Sequence, residues 1–160
     1  MLCLILISLK LVEKIHGDNA TIGYKKSLFS LPAVVDKALA KREDIKKLAA
    51  ILAKENTIVI TADGISYSLA KEAALKIKET SYKNISAAIL GEFMHGHVAV
   101  LNNPSMLIYI AVDEISKRSV SNLNKIKEDY KPKLVIIGPA GEEVKPDCNI
   151  NIVSENEIQQ

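Results

Sequence analysis

Two kinds of apolar pattern alternate along this chain. Short runs in which nearly every position is apolar occur at Thr57–Ala62 (TIVITA), Ile85–Leu90, Met106–Val112 (MLIYIAV) and Lys133–Ile137 (KLVII), with a weaker one at Asn149–Val153 (NINIV). Such runs predict strands buried on both faces. Between them, apolar residues recur every three or four positions, which predicts helices. Leu69, Ala73, Leu75 and Ile77 mark one over Tyr67–Tyr82, with Ser66 as its N-cap. Another is predicted over Ser116–Tyr130, and a short helix or helical turn over Gly91–Leu101. Upstream, Pro32 opens a helix with Val34, Val35, Ala38 and Leu39 on its apolar face, since proline suits a first turn. Ile45, Leu48, Ala49, Ile51 and Leu52 mark the next. Strands that alternate with helices predict a parallel sheet with helices on both faces, a three-layer α/β sandwich of five strands. The sequence reaches Gln160 soon after the fifth run, so the closing helix of such a sandwich is expected to be missing.

The first thirty residues read differently. Leu2–Ile15 predicts a helix that is apolar nearly all round, which calls for cover on several sides. Turn chemistry follows at His16-Gly17-Asp18-Asn19, and residues 17–30 read as a linker. Residues 1–30 are therefore expected to be an apolar helix plus linker, and residues 31–160 the main domain. Lys10, Glu13 and Lys14 interrupt the apolar run before it reaches the ~20 residues of a membrane span. No basic region precedes Leu2, as a signal peptide would require. The helix is expected to be buried or covered by a partner.

Composition refines this picture. At 160 residues the chain suits one domain. Aromatics are 4% and Trp is absent, so the core must be aliphatic. A net charge of +2 gives no clustered basic field, and nucleic acid is not an expected partner. The lysines of Lys41–Lys47 alternate with carboxylates and read as a solvated face. Cys3 and Cys148 are far apart and belong to no metal-ligand pattern, which fits a reducing cytoplasm and no structural zinc. No cofactor is expected.

Ligands of open parallel sheets bind beyond the carboxyl ends of the strands. The loops at 63–66, 79–84, 90–97 and 113–116 are the candidates. Gly64, Ser66 and Ser68 follow the first strand, where helix N–H groups can meet an anion, although Asp63 puts a negative charge beside any phosphate. In the next helix Lys76 is spaced to pair with both Glu72 and Glu79, a surface ladder or a general base beside a cation. Glu92, His95 and His97 lie within six residues. Without a third ligand at metal spacing, His95 reads as an acid–base or hydrogen-bonding residue rather than a metal ligand.

Ala73–Tyr82 (AALKIKETSY) followed by Gly91–Gly96 (GEFMHG) resembles the paired hallmark of sugar isomerase (SIS) domains, an ALKLKE-like helix end and a GE–HG element at this separation. The pair is more specific than either part. Over about residues 31–153 the chain resembles the second isomerase domain of glucosamine-6-phosphate synthases. The resemblance implies a flavodoxin-like SIS fold and a sugar-phosphate ligand, fructose 6-phosphate or glucosamine 6-phosphate. It implies that Glu79 moves a proton between sugar carbons, that Lys76 lies beside it, and that His95 assists ring opening in the partner subunit's site. Gly64, Ser66, Ser68 and Glu92 are the expected substrate contacts. His97 departs from the Pro many relatives have there. The family's Ser/Thr phosphate pocket belongs mainly to the first isomerase domain. That domain, the loop with the Schiff-base lysine and the amidotransferase domain lie outside this sequence.

The expectation is therefore half of a sugar-phosphate isomerase or aminotransferase, acting as a homodimer or with a partner chain that carries a first SIS domain. A deglycase or deaminase of amino-sugar phosphates, a non-catalytic sugar-phosphate-binding module and a gene fragment are the alternatives.

Overall fold

A computed structural model of the chain describes residues 2–101 and 104–151. The contacts divide it between Ala40 and Lys41 into two units.

The larger unit is the expected sandwich. Helix α3 (Arg42–Leu52) precedes β1 (Thr57–Ala62), α4 (Ser66–Ser81), β2 (Ile85–Ile89), α5 (Leu90–Phe93), β3 (Ser105–Ile110), α6 (Lys117–Tyr130), β4 (Lys133–Ile137) and β5 (Cys148–Ile150). The sheet order is β2-β1-β3-β4-β5 and every pairing is parallel. The expected fifth strand keeps its first two residues, Asn149 and Ile150. Its expected end, Ile152 and Val153, lies outside the described residues.

Each inner strand sends alternate side chains to opposite layers. Ile58, Ile60, Met106, Ile108 and Val135 pack with Leu48 of α3 and with Ala70 and Ala74 of α4. Val59, Leu107, Leu134 and Ile136 pack on the other side with Phe93 of α5 and with Leu123 and Ile126 of α6. The two alanines let the α4 backbone approach the sheet closely. The lysines of α3 form surface pairs, Lys46 with Glu43 at 2.7 Å and Lys47 with Asp44 at 3.7 Å, as a solvated face should.

The smaller unit corrects the expected linker. Asp18–Thr21 is one 3-10 turn, and Ile22–Ala40 is a continuous helix, α2. Pro32 sits inside α2 and does not open it; the helix runs on without that one N–H. Helix α1 covers Leu2–His16. Glu13 joins the pieces. Its carboxylate accepts from Thr21 Oγ1 at 2.6 Å and from Lys10 Nζ at 3.0 Å, and it pairs with Lys25 of α2. A carboxylate with three donors stays ionised far into acid. The Lys25, Thr21 and Lys10 donors hold Glu13 at a pKa of about 2.

Gly138 has φ +120°, and a Cβ there would stand 1.9 Å from the Ala111 carbonyl oxygen. Gly138→Ala is expected to cost about 2–4 kcal/mol, read by thermal or urea unfolding, because backbone lies on the far side of that contact. For Glu13 the folded pKa lies below the unfolded one of about 4.3. Its contribution is therefore full above that pH and is lost as the pH falls towards 2. The stability gap between the wild type and Glu13→Gln should shrink across that window.

Candidate functional site

The direction of the chain reverses between β1 and β3, which have β2 on one side and β4 on the other. A crevice is expected at the carboxyl ends of such a pair. One of about 240 Å³ is present, lined by Asp63, Gly64 and Ser66 after β1 and by Tyr109, Asp113, Glu114, Ser116 and Ser119 on the β3 side.

Asp63 organises it. Its Oδ2 accepts from the Tyr109 hydroxyl at 3.0 Å and from Ser119 Oγ at 2.8 Å. Ser116 caps α6 by accepting from the Ser119 N–H at 3.2 Å, and its hydroxyl lies 2.8 Å from that of Ser119. Burial and then the Asp63 charge push the Tyr109 phenol up to about 12. Tyr109 thus stays a neutral donor at any physiological pH. Sequence reading placed Tyr109 in a strand and passed over Ser119. A single hydroxyl near the end of an otherwise aliphatic run was the one signal available.

The expected anion cradle takes another form. Ser66 is the first residue of α4 rather than its cap; the N-cap is Ile65, with no side-chain bond. Gly64, at φ +52°, turns the chain so that the N–H groups of Ser66, Tyr67 and Ser68 bond the carbonyls of Asp63, Gly64 and Ile65 at 3.1, 3.3 and 3.2 Å. Those donors are taken. The crevice holds three carboxylates, and no Lys or Arg lines it. It suits hydroxyl or ammonium groups better than phosphate. Ser68 is exposed and lies outside the lining.

The remaining candidates lie elsewhere. Glu92 and His97 line a second cavity of about 350 Å³ beside the edge strand β2, with Tyr67, Ser86 and Phe93. His95 is exposed and does not line it; its N–H donates to the Glu92 carbonyl at 3.0 Å. Lys76 Nζ donates to Glu79 Oε2 at 3.0 Å and stands 3.8 Å from Glu72. The Glu79 hydrogen bond and then its charge hold the Lys76 ammonium above its ordinary pKa. Lys76 therefore remains a cation, poor as an amine nucleophile and good as a partner for a carboxylate.

Helix α4 runs back from the carboxyl edge of the sheet to its amino edge. Glu79 is thirteen residues from Ser66, about 20 Å along the helix. His95 follows α5, two residues beyond its end. The length of α4 separates Glu79 from the crevice at its start. Among the described residues, no three His, Cys, Asp or Glu side chains are placed to hold a metal.

Residues 51–160 match the family described as SIS domain. The chain belongs to the SIS domain family. Its sandwich with parallel strands is thus an SIS fold. It resembles the isomerizing glutamine–fructose-6-phosphate aminotransferase of Wigglesworthia glossinidia brevipalpis, at 28% identity over 117 residues, 72% of this chain and 19% of that protein. The chain thus spans about a fifth of the relative it matches. The solved C-terminal domain of glucosamine-fructose-6-phosphate aminotransferase from Francisella tularensis superposes with TM-score 0.70 at 26% identity, over 80% of this chain and 38% of that one. Glucosamine-6-phosphate deaminase from Thermotoga maritima has TM-score 0.59 at 19% identity, over 86% of this chain and 41% of that one, a likeness of fold. Among the described residues of this SIS chain, no helix is long and apolar enough to cross a membrane.

The phenol–carboxylate contact gives a spectroscopic test. Of the five tyrosines, one should ionise only near pH 12 in an ultraviolet titration of the folded protein. Tyr109→Phe should remove that late component and leave the earlier ones.

Proposed function

We propose that this SIS domain is half of a sugar-phosphate isomerase site, with fructose 6-phosphate or glucosamine 6-phosphate as the substrate class. A second copy, or a partner chain carrying another SIS domain, completes the site. The observation that carries this reading is the Lys76–Glu79 pair. It stands on the last turns of α4, half exposed at 58% and 51%, outside the linings of both the crevice and the cavity beside β2. A carboxylate that must take a proton from a sugar carbon needs walls that exclude water, and here another domain would supply them.

In this reading Glu79 accepts a proton from the carbon beside the carbonyl and returns it to the neighbouring carbon, so that aldose and ketose interconvert through an enediol. The Lys76 ammonium holds Glu79 in place and offsets the negative charge that develops. His95, exposed beyond α5, would serve the neighbouring subunit's site. Gly64, Ser66, Ser68 and Glu92 remain the proposed substrate contacts. The acidic crevice favours the hydroxyl or amino end of the sugar over its phosphate. A reducing cytoplasm fits the two free thiols, Cys3 and Cys148.

The test is solvent deuterium exchange into fructose 6-phosphate, followed by proton NMR, with the full chain alone and with a supplied SIS partner. Exchange is expected only in the completed assembly, and Glu79→Gln should slow it by about 10²- to 10⁴-fold with sugar binding retained. Exchange unchanged in Glu79→Gln would remove the proton-shuttle role. Sugar-phosphate binding without exchange in any assembly would point to a binding module. Release of ammonia from glucosamine 6-phosphate would point to a deaminase.

A further inference from the structure

Strand β2 is an edge of the sheet, and the cavity of about 350 Å³ lies against it. Ser86, Ala88 and Ile89 of β2 line one wall. Tyr67 of α4, Glu92 and Phe93 of α5, and His97 and Val100 beyond it line the rest. Buried anchors fix this lining. Leu90 and Phe93 seat α5 in the core, and Val98 seats the 3-10 turn His97–Val100. Gly96, at φ +109°, makes the turn between the two. Glu92 and His97, both exposed, are thereby held on one cavity. His95, between them in sequence, lines neither this cavity nor the crevice.

Its chemistry is the reverse of the crevice. Three carboxylates and no cation line the crevice. The cavity beside β2 has one carboxylate and one imidazole within mostly apolar walls. Two cations stand at its margin. Lys71 Nζ lies 5.1 Å over the centre of the Tyr67 ring. The Arg118 guanidinium comes within 3.9 Å of where a Gly91 side chain would begin, one residue before Glu92. Apolar walls with a few convergent polar groups are what a small-molecule site requires. These walls suit the C–H face of a sugar ring, and the Tyr67 and Ser86 hydroxyls suit its hydroxyl groups. Lys71 and Arg118 supply the charge that a phosphate needs and the crevice lacks.

We infer that this cavity is a sugar-phosphate site within a single chain, and that Glu92 and His97 open the sugar ring there. Glu92 takes the proton of the anomeric hydroxyl. The C1 carbonyl forms as the bond from C1 to the ring oxygen breaks, and the His97 imidazolium gives its proton to that oxygen. Closure on the other face of the carbonyl reverses the steps and returns both protons. The net reaction interconverts the two anomers and needs no co-reactant. A carboxylate and an imidazole are groups that can exchange protons with a sugar near neutral pH. The inference rests on the sugar-phosphate reading above, but it places ring opening in one chain, whereas proton transfer at Glu79 needs a second domain.

Exchange NMR on the anomeric protons of glucosamine 6-phosphate, with the full chain alone, tests it. The chain is expected to speed interconversion of the anomers over buffer. Glu92→Gln and His97→Asn should each cut that acceleration by about 10²-fold. Both side chains are exposed, so both variants should keep the circular dichroism of the parent. His16→Asn, on α1, should change nothing, which separates the cavity from catalysis by any surface imidazole. Lys71→Gln and Arg118→Gln should each raise the half-saturating concentration of glucosamine 6-phosphate about fivefold and leave that of glucosamine unchanged. Interconversion no faster than in buffer overturns the inference. So does an acceleration indifferent to both Glu92→Gln and His97→Asn. Deuterium exchange in the completed assembly, with no anomer interconversion by the chain alone, would overturn it and leave the Glu79 reading standing. Anomer interconversion with no deuterium exchange in any assembly would do the opposite.

Discussion

The structure depends on strands that have no wet face. Val59, Ile60, Leu107, Ile108, Leu134 and Val135 are buried on both sides of the sheet. A strand of that kind can exist only with a helix layer above and below it, and parallel pairing follows from the crossovers those layers require. The same constraint leaves little room for polar chemistry within the sheet, where buried Thr61 donates to the Ile108 carbonyl at 3.4 Å. Polar groups gather where the strands stop. Asp63, Tyr109, Ser116 and Ser119 cluster at one edge. At the other edge, buried Glu55 pairs with Lys133 at 2.6 Å.

Helix α4 converts that layering into a functional geometry. It carries the crevice residues at its start and the Lys76–Glu79 pair near its end. A straight helix packed on a sheet cannot fold both ends into one pocket. A site that used both would draw them from different domains, as proposed for this chain, and the Lys76–Glu79 pair stands half exposed at the helix end.

The first forty residues obey a different rule. Their apolar side chains point outward, and what holds them is polar, a carboxylate shared by Thr21, Lys10 and Lys25. Polar junctions fix geometry but add little net stability.

The sequence by itself determined the layers. Consecutive β-branched positions and the three-to-four spacing between them are local patterns, and each maps onto one kind of element. The sequence also carried the paired motif around Glu79 and His95, because a motif is a string of residues. Local reading failed where the outcome depends on what a segment touches. Residues 17–30 looked like a linker because polar residues are scattered through them, yet most of them are helical. Ser66 looked like a cap, and the turn at Gly64 placed it inside the helix. Only the tertiary structure could show that Tyr109 and Ser119, ten residues apart, meet on Asp63. Only it could show that Glu79 stands the length of α4 away from the crevice. Distances across a sheet are set by strand order and helix direction, and neither is written in any one stretch of chain.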